Sequence, residues 1–384
     1  YISLDAGETW ARFKNGVPKV GVRDMVIHPV ESDLVLGTHG RGIIIIDELE
    51  ILRQLTPSTT NEKLVFLERG PFYLPKGGAI SAGDYGGSGG FRGPNPSRNA
   101  RVSYFSQKRH TFGKMYVEVF KDGELVEKFQ AGKSAGLNTI SIPTSLPKPK
   151  TAPTRNRTAL FGTAQGPSLE PGVYEVKLTK GREVYTTTFS LTNDPDSPHT
   201  AEDRAVQRKS QHQLYDLHQD LAYIYEVLHT VAEAEKPAAL TTKLEEAWET
   251  TTQRAKAMRD ELAALDGDGY VDEGSKIREE LGELYYTIGT FPGRPTASQL
   301  AEIDRLVAAM EEVQNEFKAL LDGSITELNT NLQKAEFRPI SWPEKEAFLQ
   351  EKGSSSSGKR GSFYGKAPAW FRNMDLLFRG ILFH

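Results

Sequence analysis

Apolar residues recur at every second position through the first half of the chain and at every third or fourth through most of the second, so strand chemistry gives way to helix chemistry. Val22-Arg-Asp-Met-Val-Ile-His-Pro29 alternates, and Asp33 to Asp47 reads as two strands around a glycine-rich turn. Residues 51–98 form a connector. It holds the polar stretch Pro57 to Thr60, a short strand expected at Leu64-Val-Phe-Leu67, and a segment from Gly77 to Pro96 too poor in apolar side chains to pack. Period two returns over 99–193, in Arg101 to Phe105, Lys114 to Phe120 and Glu124 to Phe129, the last two flanking the hairpin signal Asp122-Gly123. Further strands are expected at Ala135 to Ile142, Glu170 to Leu178 and Glu183 to Leu191, interrupted by a proline-rich, polar excursion from Pro143 to Ser168. Short strands at this spacing predict an Ig-like β-sandwich.

Pro195 and Pro198 stop the strand pattern, and residues 200–336 follow helical spacing. Leu214, Leu217, Leu221, Ile224, Leu228 and Val231 share one face. Leu240, Leu244, Trp248, Ala255, Met258, Leu262 and Leu265 share a second, Ile277, Leu281, Leu284 and Ile288 a third, and a fourth runs from Ser298 through Ile303 and Leu321 toward Leu332. Pro237, an Asp-Gly turn and Pro292 break every heptad run, which favours an antiparallel helical bundle over a coiled coil. Residues 337–384 read as a linker, Gly353-Ser-Ser-Ser-Ser-Gly-Lys-Arg-Gly361, and an aromatic tail. In that tail Trp370, Phe371, Leu376, Leu377, Phe378 and Phe383 would dock on a partner or fold back on the body. The expected fold class is multidomain β plus α.

The chain opens on Tyr1-Ile-Ser-Leu-Asp-Ala-Gly-Glu-Thr-Trp10, a run in which Ser3, Asp5, Gly7, Thr9 and Trp10 specify a hairpin. Asp5 accepts turn amides, Gly7 supplies a positive φ, and Trp10 begins the returning strand with an indole to bury. The pattern resembles the Asp-box, or BNR repeat, a structural staple that β-propellers carry once per blade. Gly37-Thr-His-Gly-Arg-Gly42, followed by Ile43 to Asp47, is similar to the closing blade of exported bacterial sortilin-like Asp-box repeat proteins. The resemblance is tight over residues 1–50 and implies the last blade of a β-propeller, with partner blades upstream of Tyr1. Asp122-Gly123, Ala135-Gly-x-Asn138 and Pro171-Gly-x-Tyr174-x-Val176-x-Leu178 likewise resemble the FlgD-like Ig module that follows such propellers. What this implies is a periplasmic, outer-membrane-associated or extracellular protein that binds protein or glycan without catalysis. The alternative it implies is a glycoside hydrolase whose catalytic carboxylates lie in blades absent from this chain.

Composition narrows the picture. A length of 384 residues suits two or three domains, and a net charge of −4 argues against nucleic-acid binding driven by bulk charge. With no cysteine, disulfides and thiolate metal sites are excluded, and no apolar run long enough for a transmembrane segment occurs. Asp266, Asp268 and Asp272 match the middle of an EF-hand loop, a calcium candidate. Ala264 and Ser275, however, stand where the end ligands belong, and an Asp-Gly turn between helices explains the same letters. No other cofactor is expected. His39 and Arg41 are candidate ligand-facing residues, although the surrounding glycines suit turning. His212, His218 and His229 are not spaced as a metal pair and read as solvated or half-buried. Asp24, Asp33, Asp47 and Glu48 are the acids near strands in the blade segment, and nothing in sequence pairs them for glycoside hydrolysis.

Overall fold

The computed structural model describes residues 1–13, 16–74, 99–155, 165–265 and 276–350. They form a mixed, multidomain α plus β fold, with no closed barrel and no propeller ring among the described residues. Strands β1 (Val22–Ile27), β2 (Leu34–Thr38) and β3 (Ile43–Ile46) make an antiparallel meander in that order. Ahead of it, Ile2 and Ala11 exchange backbone hydrogen bonds at 2.8 and 2.9 Å, closing the expected hairpin. Two short helices follow, α1 (Leu49–Arg53) and α2 (Pro57–Asn61), the second started by Pro57 and a reciprocal Thr56–Thr59 cap.

Two sheets then pack face to face around one apolar core that includes Tyr104, Val117, Val119, Ile142, Val176 and Leu178. The smaller has order β4 (Leu64–Leu67), β6 (Ala100–Ser106), β9 (Gly136–Ile142). In the larger, the order is β5 (Phe72–Leu74), β11 (Glu183–Asn193), β10 (Gly172–Lys180), β7 (Met115–Lys121), β8 (Glu124–Gln130). Asp122 and Gly123 join β7 to β8 with φ of 52° and 86°, the conformation that a two-residue hairpin demands. The sandwich begins earlier than the sequence pattern suggested: β4 and β5, inside the stretch read as connector, pair with β6 and β11, the latter in parallel.

The helical half is organised by α3 (Ala201–Ala232), which packs against α4 (Thr242–Leu262), α5 (Ile277–Thr290) and α6 (Ala297–Leu320). Thr200 with Asp203, and Thr296 with Gln299, form capping boxes that fix where α3 and α6 start. A π turn at Leu321–Ile325 carries α6 into α7 (Thr326–Lys334), and α8 (Lys345–Gln350) follows. Leu214, Leu221, Val227, Leu228, Leu281 and Leu306 are fully enclosed in the bundle core.

The excursion between β9 and β10 is a strap that ties sandwich to bundle. Leu146 touches both cores. The Arg278 Nε–H donates to the Ala152 carbonyl at 2.7 Å, Thr154 Oγ1 donates to Glu279 at 2.5 Å, and Tyr285 donates to the Gln165 carbonyl at 2.9 Å. Polar sequence here satisfies buried groups of the bundle instead of facing water. Truncating Leu221 to Ala removes packing from a closed core and is expected to cost about 2–5 kcal/mol in denaturant unfolding. Leu125→Ala, on an exposed strand position, is expected within about 0.5 kcal/mol of the parent; similar losses for the two would contradict the packing described.

Candidate functional site

The opening hairpin is held by short polar side chains. Asp5 Oδ1 accepts from the Thr9 amide at 2.9 Å and from Ser3 Oγ at 2.7 Å, while Asp5 Oδ2 accepts from Thr9 Oγ1 at 2.5 Å. The Gly7 amide donates to Ser3 Oγ at 2.7 Å, and Gly7 itself has φ of 98°. The bond from the Thr9 hydroxyl, then those from the Thr9 amide and Ser3, hold the Asp5 carboxyl down at about 2. Ser3, Asp5, Gly7 and Thr9 therefore come together as a staple. Trp10 differs from expectation: its indole N–H donates to the Gly7 carbonyl at 3.0 Å, but 63% of the residue stays exposed. Leu4 and Phe13, in contrast, pack on Ile51, Leu55, Leu67, Phe105 and Leu137, anchoring the hairpin to the sandwich side.

The β1–β3 sheet is apolar on both faces. Its register aligns Met25, Leu36 and Ile44, and beside them Ile27, Leu34 and Ile46, on one face. Val26, Val35 and Ile45 align on the other, next to Ile43. Met25 is 65% exposed, Val26 58%, Ile43 72% and Ile45 56%, whereas only Leu36 among these is buried. An antiparallel sheet at a protein surface ordinarily turns polar residues to water on one side. Here Asp24, opposite Gly37, is the polar residue on the face of Val26, Val35 and Ile45, and large apolar side chains are exposed on both faces.

An ionic joint binds the sheet to the sandwich. Glu48, in the left-handed region at φ 60°, pairs with both Arg69 and Arg101, and its amide donates to Asp33 Oδ1 at 2.9 Å. The Arg69 guanidinium also lies 5.9 Å from the Phe72 ring centroid. Asp47 beside them has its carboxyl pushed up by burial, then by the charges of Asp33 and Glu48, with Arg101 opposing. Asp33 and Glu48 are thus committed to turn and joint. His39 and Arg41 sit on the exposed turn between β2 and β3, where the His39 amide donates to the Gly21 carbonyl at 2.9 Å.

A second polar centre, unannounced by the sequence, lies inside the bundle. His218 and Arg278 are both fully enclosed, and among the described residues neither ring nitrogen of His218 nor either terminal nitrogen of Arg278 has a hydrogen-bond partner. The His218 ring meets Tyr285 edge to face at 5.6 Å. His218 is four residues after Leu214 and three before Leu221, so its place on the apolar face was the available signal. His212 instead faces the Ser168 carbonyl, and His229 faces Arg259. Asp266, Asp268 and Asp272, with the calcium reading, lie outside the described residues, as do Trp370, Phe371, Leu376, Leu377, Phe378 and Phe383 of the tail. Among the described residues no group of three or more His, Asp or Glu is placed to hold a metal ion, and no helix is long and apolar enough to cross a membrane.

No family model matches the chain, and no curated protein matches it.

Burial, reinforced by the Arg278 charge, pushes His218 down from 6.5 to about 3. The folded protein therefore refuses a proton that the unfolded chain accepts. Its contribution is complete above pH 6.5 and is lost as the pH falls toward 3, at about 1.4 kcal/mol per pH unit. Denaturant midpoints of the parent and His218→Phe are expected to diverge between these limits, the variant holding its stability better in acid. Parallel curves would show that His218 is not the proton-linked group.

Proposed function

We propose that residues 1–50 are a blade segment of an Asp-box β-propeller and that the chain is an interaction and scaffold part of an exported protein at the bacterial cell envelope, binding protein or glycan without catalysis. The observation that carries this reading is the sheet that leaves large apolar side chains exposed on both faces, Met25 and Ile27 on one and Val26, Ile43 and Ile45 on the other. Sheets stacked face to face in a ring cover each blade from both sides, so a blade removed from its ring looks like this one. The Asp-box hydrogen bonds support the same reading, since they reproduce the staple that the Ser3 to Trp10 pattern specifies. Exposed Trp10 then belongs to the surface that a neighbouring sheet covers. The two-sheet sandwich supports the Ig-like module that follows, and the strap and Glu48 joint fix sheet, sandwich and bundle to one another for display.

Glycoside hydrolysis would require two free carboxylates facing a sugar. In the sheet segment, Asp33 accepts a backbone amide and Glu48 holds two arginines, which favours the structural role for both. The test joins both readings. Met25→Asp with Ile45→Asp is expected to reduce binding of a hydrophobic reporter dye severalfold while leaving the unfolding midpoint within about 0.5 kcal/mol, and chromogenic glycosides are expected to remain intact. Unchanged dye binding would remove the surface argument, and glycoside turnover by a longer protein that includes further blades would establish the hydrolase.

A further inference from the structure

The end of the sandwich turned away from the helical bundle is basic and holds out an exposed phenyl ring. Ser106 of β6 is opposite Gly136 of β9, and Met115 of β7 is opposite Lys180 of β10, so the β6–β7 loop (residues 107–114), the β8–β9 connection and the β10–β11 turn meet at this end. Ile142, Gly172 and Asn193, through which the strap and the bundle attach, lie at the other. The loop supplies Lys108, Arg109 and Lys114, all exposed, and Lys133, Lys180 and Arg182 stand on the adjoining strand ends and turns. Lys180 Nζ donates to Ser106 Oγ at 3.3 Å, which fastens β10 to the foot of the loop. Among the described residues, the carboxylates that the registers bring here are Glu62 and Glu183, and Glu183 is taken up by Lys63 at 2.8 Å. In a chain of net charge −4 this end is a local reversal of sign.

Phe112 at the loop tip is 87% exposed. The backbone around it is tied down: Ser106 Oγ donates to the Lys108 carbonyl at 3.0 Å, the His110 amide to the Lys133 carbonyl at 2.9 Å, and Lys133 Nζ to the Gly113 carbonyl at 2.6 Å. Gly113 makes the turn at φ 89°. A phenyl ring has no polar atom to satisfy in water, and cations on both sides of it in sequence give the tip an apolar point with a charged collar. That combination suits a negatively charged bilayer, where cations meet headgroup phosphates and an aromatic ring enters the acyl boundary. A nucleic-acid strand is matched less well, because one ring offers successive bases no stacking track. We propose that this end of the sandwich docks on an anionic phospholipid bilayer, with Phe112 inserted at the boundary and Lys108, Arg109 and Lys114 on the phosphates. The proposal goes beyond the scaffold reading and does not rest on it, since neither the Asp-box hairpin nor the β1–β3 sheet enters.

The absence of cysteine from the chain allows a single environment-sensitive fluorophore to be placed by Phe112→Cys. With vesicles of phosphatidylcholine and phosphatidylglycerol in equal parts, its emission is expected to rise and move to the blue. The same label on Val173→Cys, exposed at the opposite end of the sandwich, is expected to stay unchanged. In co-sedimentation the unlabelled parent is expected to bind these vesicles, and to bind phosphatidylcholine alone at least about tenfold more weakly. Lys108→Ala, Arg109→Ala and Lys114→Ala together are expected to weaken binding about a hundredfold, at roughly fivefold per basic residue, and Phe112→Ser about tenfold. All four positions are exposed, so the unfolding midpoints are expected to match the parent. Failure of the parent to bind the anionic vesicles overturns the proposal. Binding retained by the triple variant also overturns it, assigning the contact to another face such as the β1–β3 sheet. An oligonucleotide that displaces the vesicles, and that parent and Phe112→Ser bind equally, overturns it in favour of a nucleic-acid surface.

Discussion

A β-sheet with apolar side chains on both faces is stable in water only when two layers cover it, and the β1–β3 sheet obeys that constraint in its sequence but not in its surroundings. Met25 and Ile27 on one side, and Val26, Ile43 and Ile45 on the other, are more than two-fifths exposed, while comparable residues of the sandwich and bundle are enclosed. Burial of each such side chain is worth about 1.5–3 kcal/mol. That leaves the sheet as the part of the molecule that gains most from a neighbour. Its hydrogen bonds already exist; what it lacks is cover.

The rest of the chain holds this sheet in place. Leu4 and Phe13 pack on the small cluster around Ile51 and Phe105, and Glu48 engages arginines from both sides of the sandwich entry. Removing one partner of a shielded ion pair costs far more than the pair contributes, so Glu48, Arg69 and Arg101 act as a joint in which each member requires the others. The strap repeats the principle at the opposite boundary, where Ala152, Thr154 and Gln165 satisfy Arg278, Glu279 and Tyr285. The architecture therefore runs from one exposed apolar sheet, through two polar joints, to a bundle built around α3.

Local chemistry was readable and tertiary chemistry was not. Asp122-Gly123 specified its hairpin because the turn demands positive φ, and the helices of the bundle followed their apolar faces, with threonine caps at the starts of α3 and α6. The Asp-box letters found their hydrogen bonds for the same reason, since every partner lies within four residues. Strand β5 escaped because three residues carry too little alternation, and neither its pairing with β11 nor that of the expected strand at Leu64–Leu67 with β6 was readable, because the partners lie far along the chain. The strap escaped because its polar residues answer groups on α5, more than a hundred residues away. Trp10 was expected to bury its ring, and nothing among the described residues covers it. His218 was read with the solvated histidines, although its spacing placed it among the buried leucines of α3.

The five methionines provide the most direct measurement of the central claim, because Met25 lies on the exposed sheet while Met115 and Met310 are buried in sandwich and bundle. Mild peroxide treatment followed by mass spectrometry reports the sulfoxide at each position. In the isolated 384-residue chain Met25 is expected to oxidise rapidly and Met115 and Met310 slowly, and in the protein taken from its natural setting Met25 is expected to join the slow group. Met25 oxidising as rapidly there as in the isolated chain would mean that the sheet has no covering layers, and the blade assignment would fall.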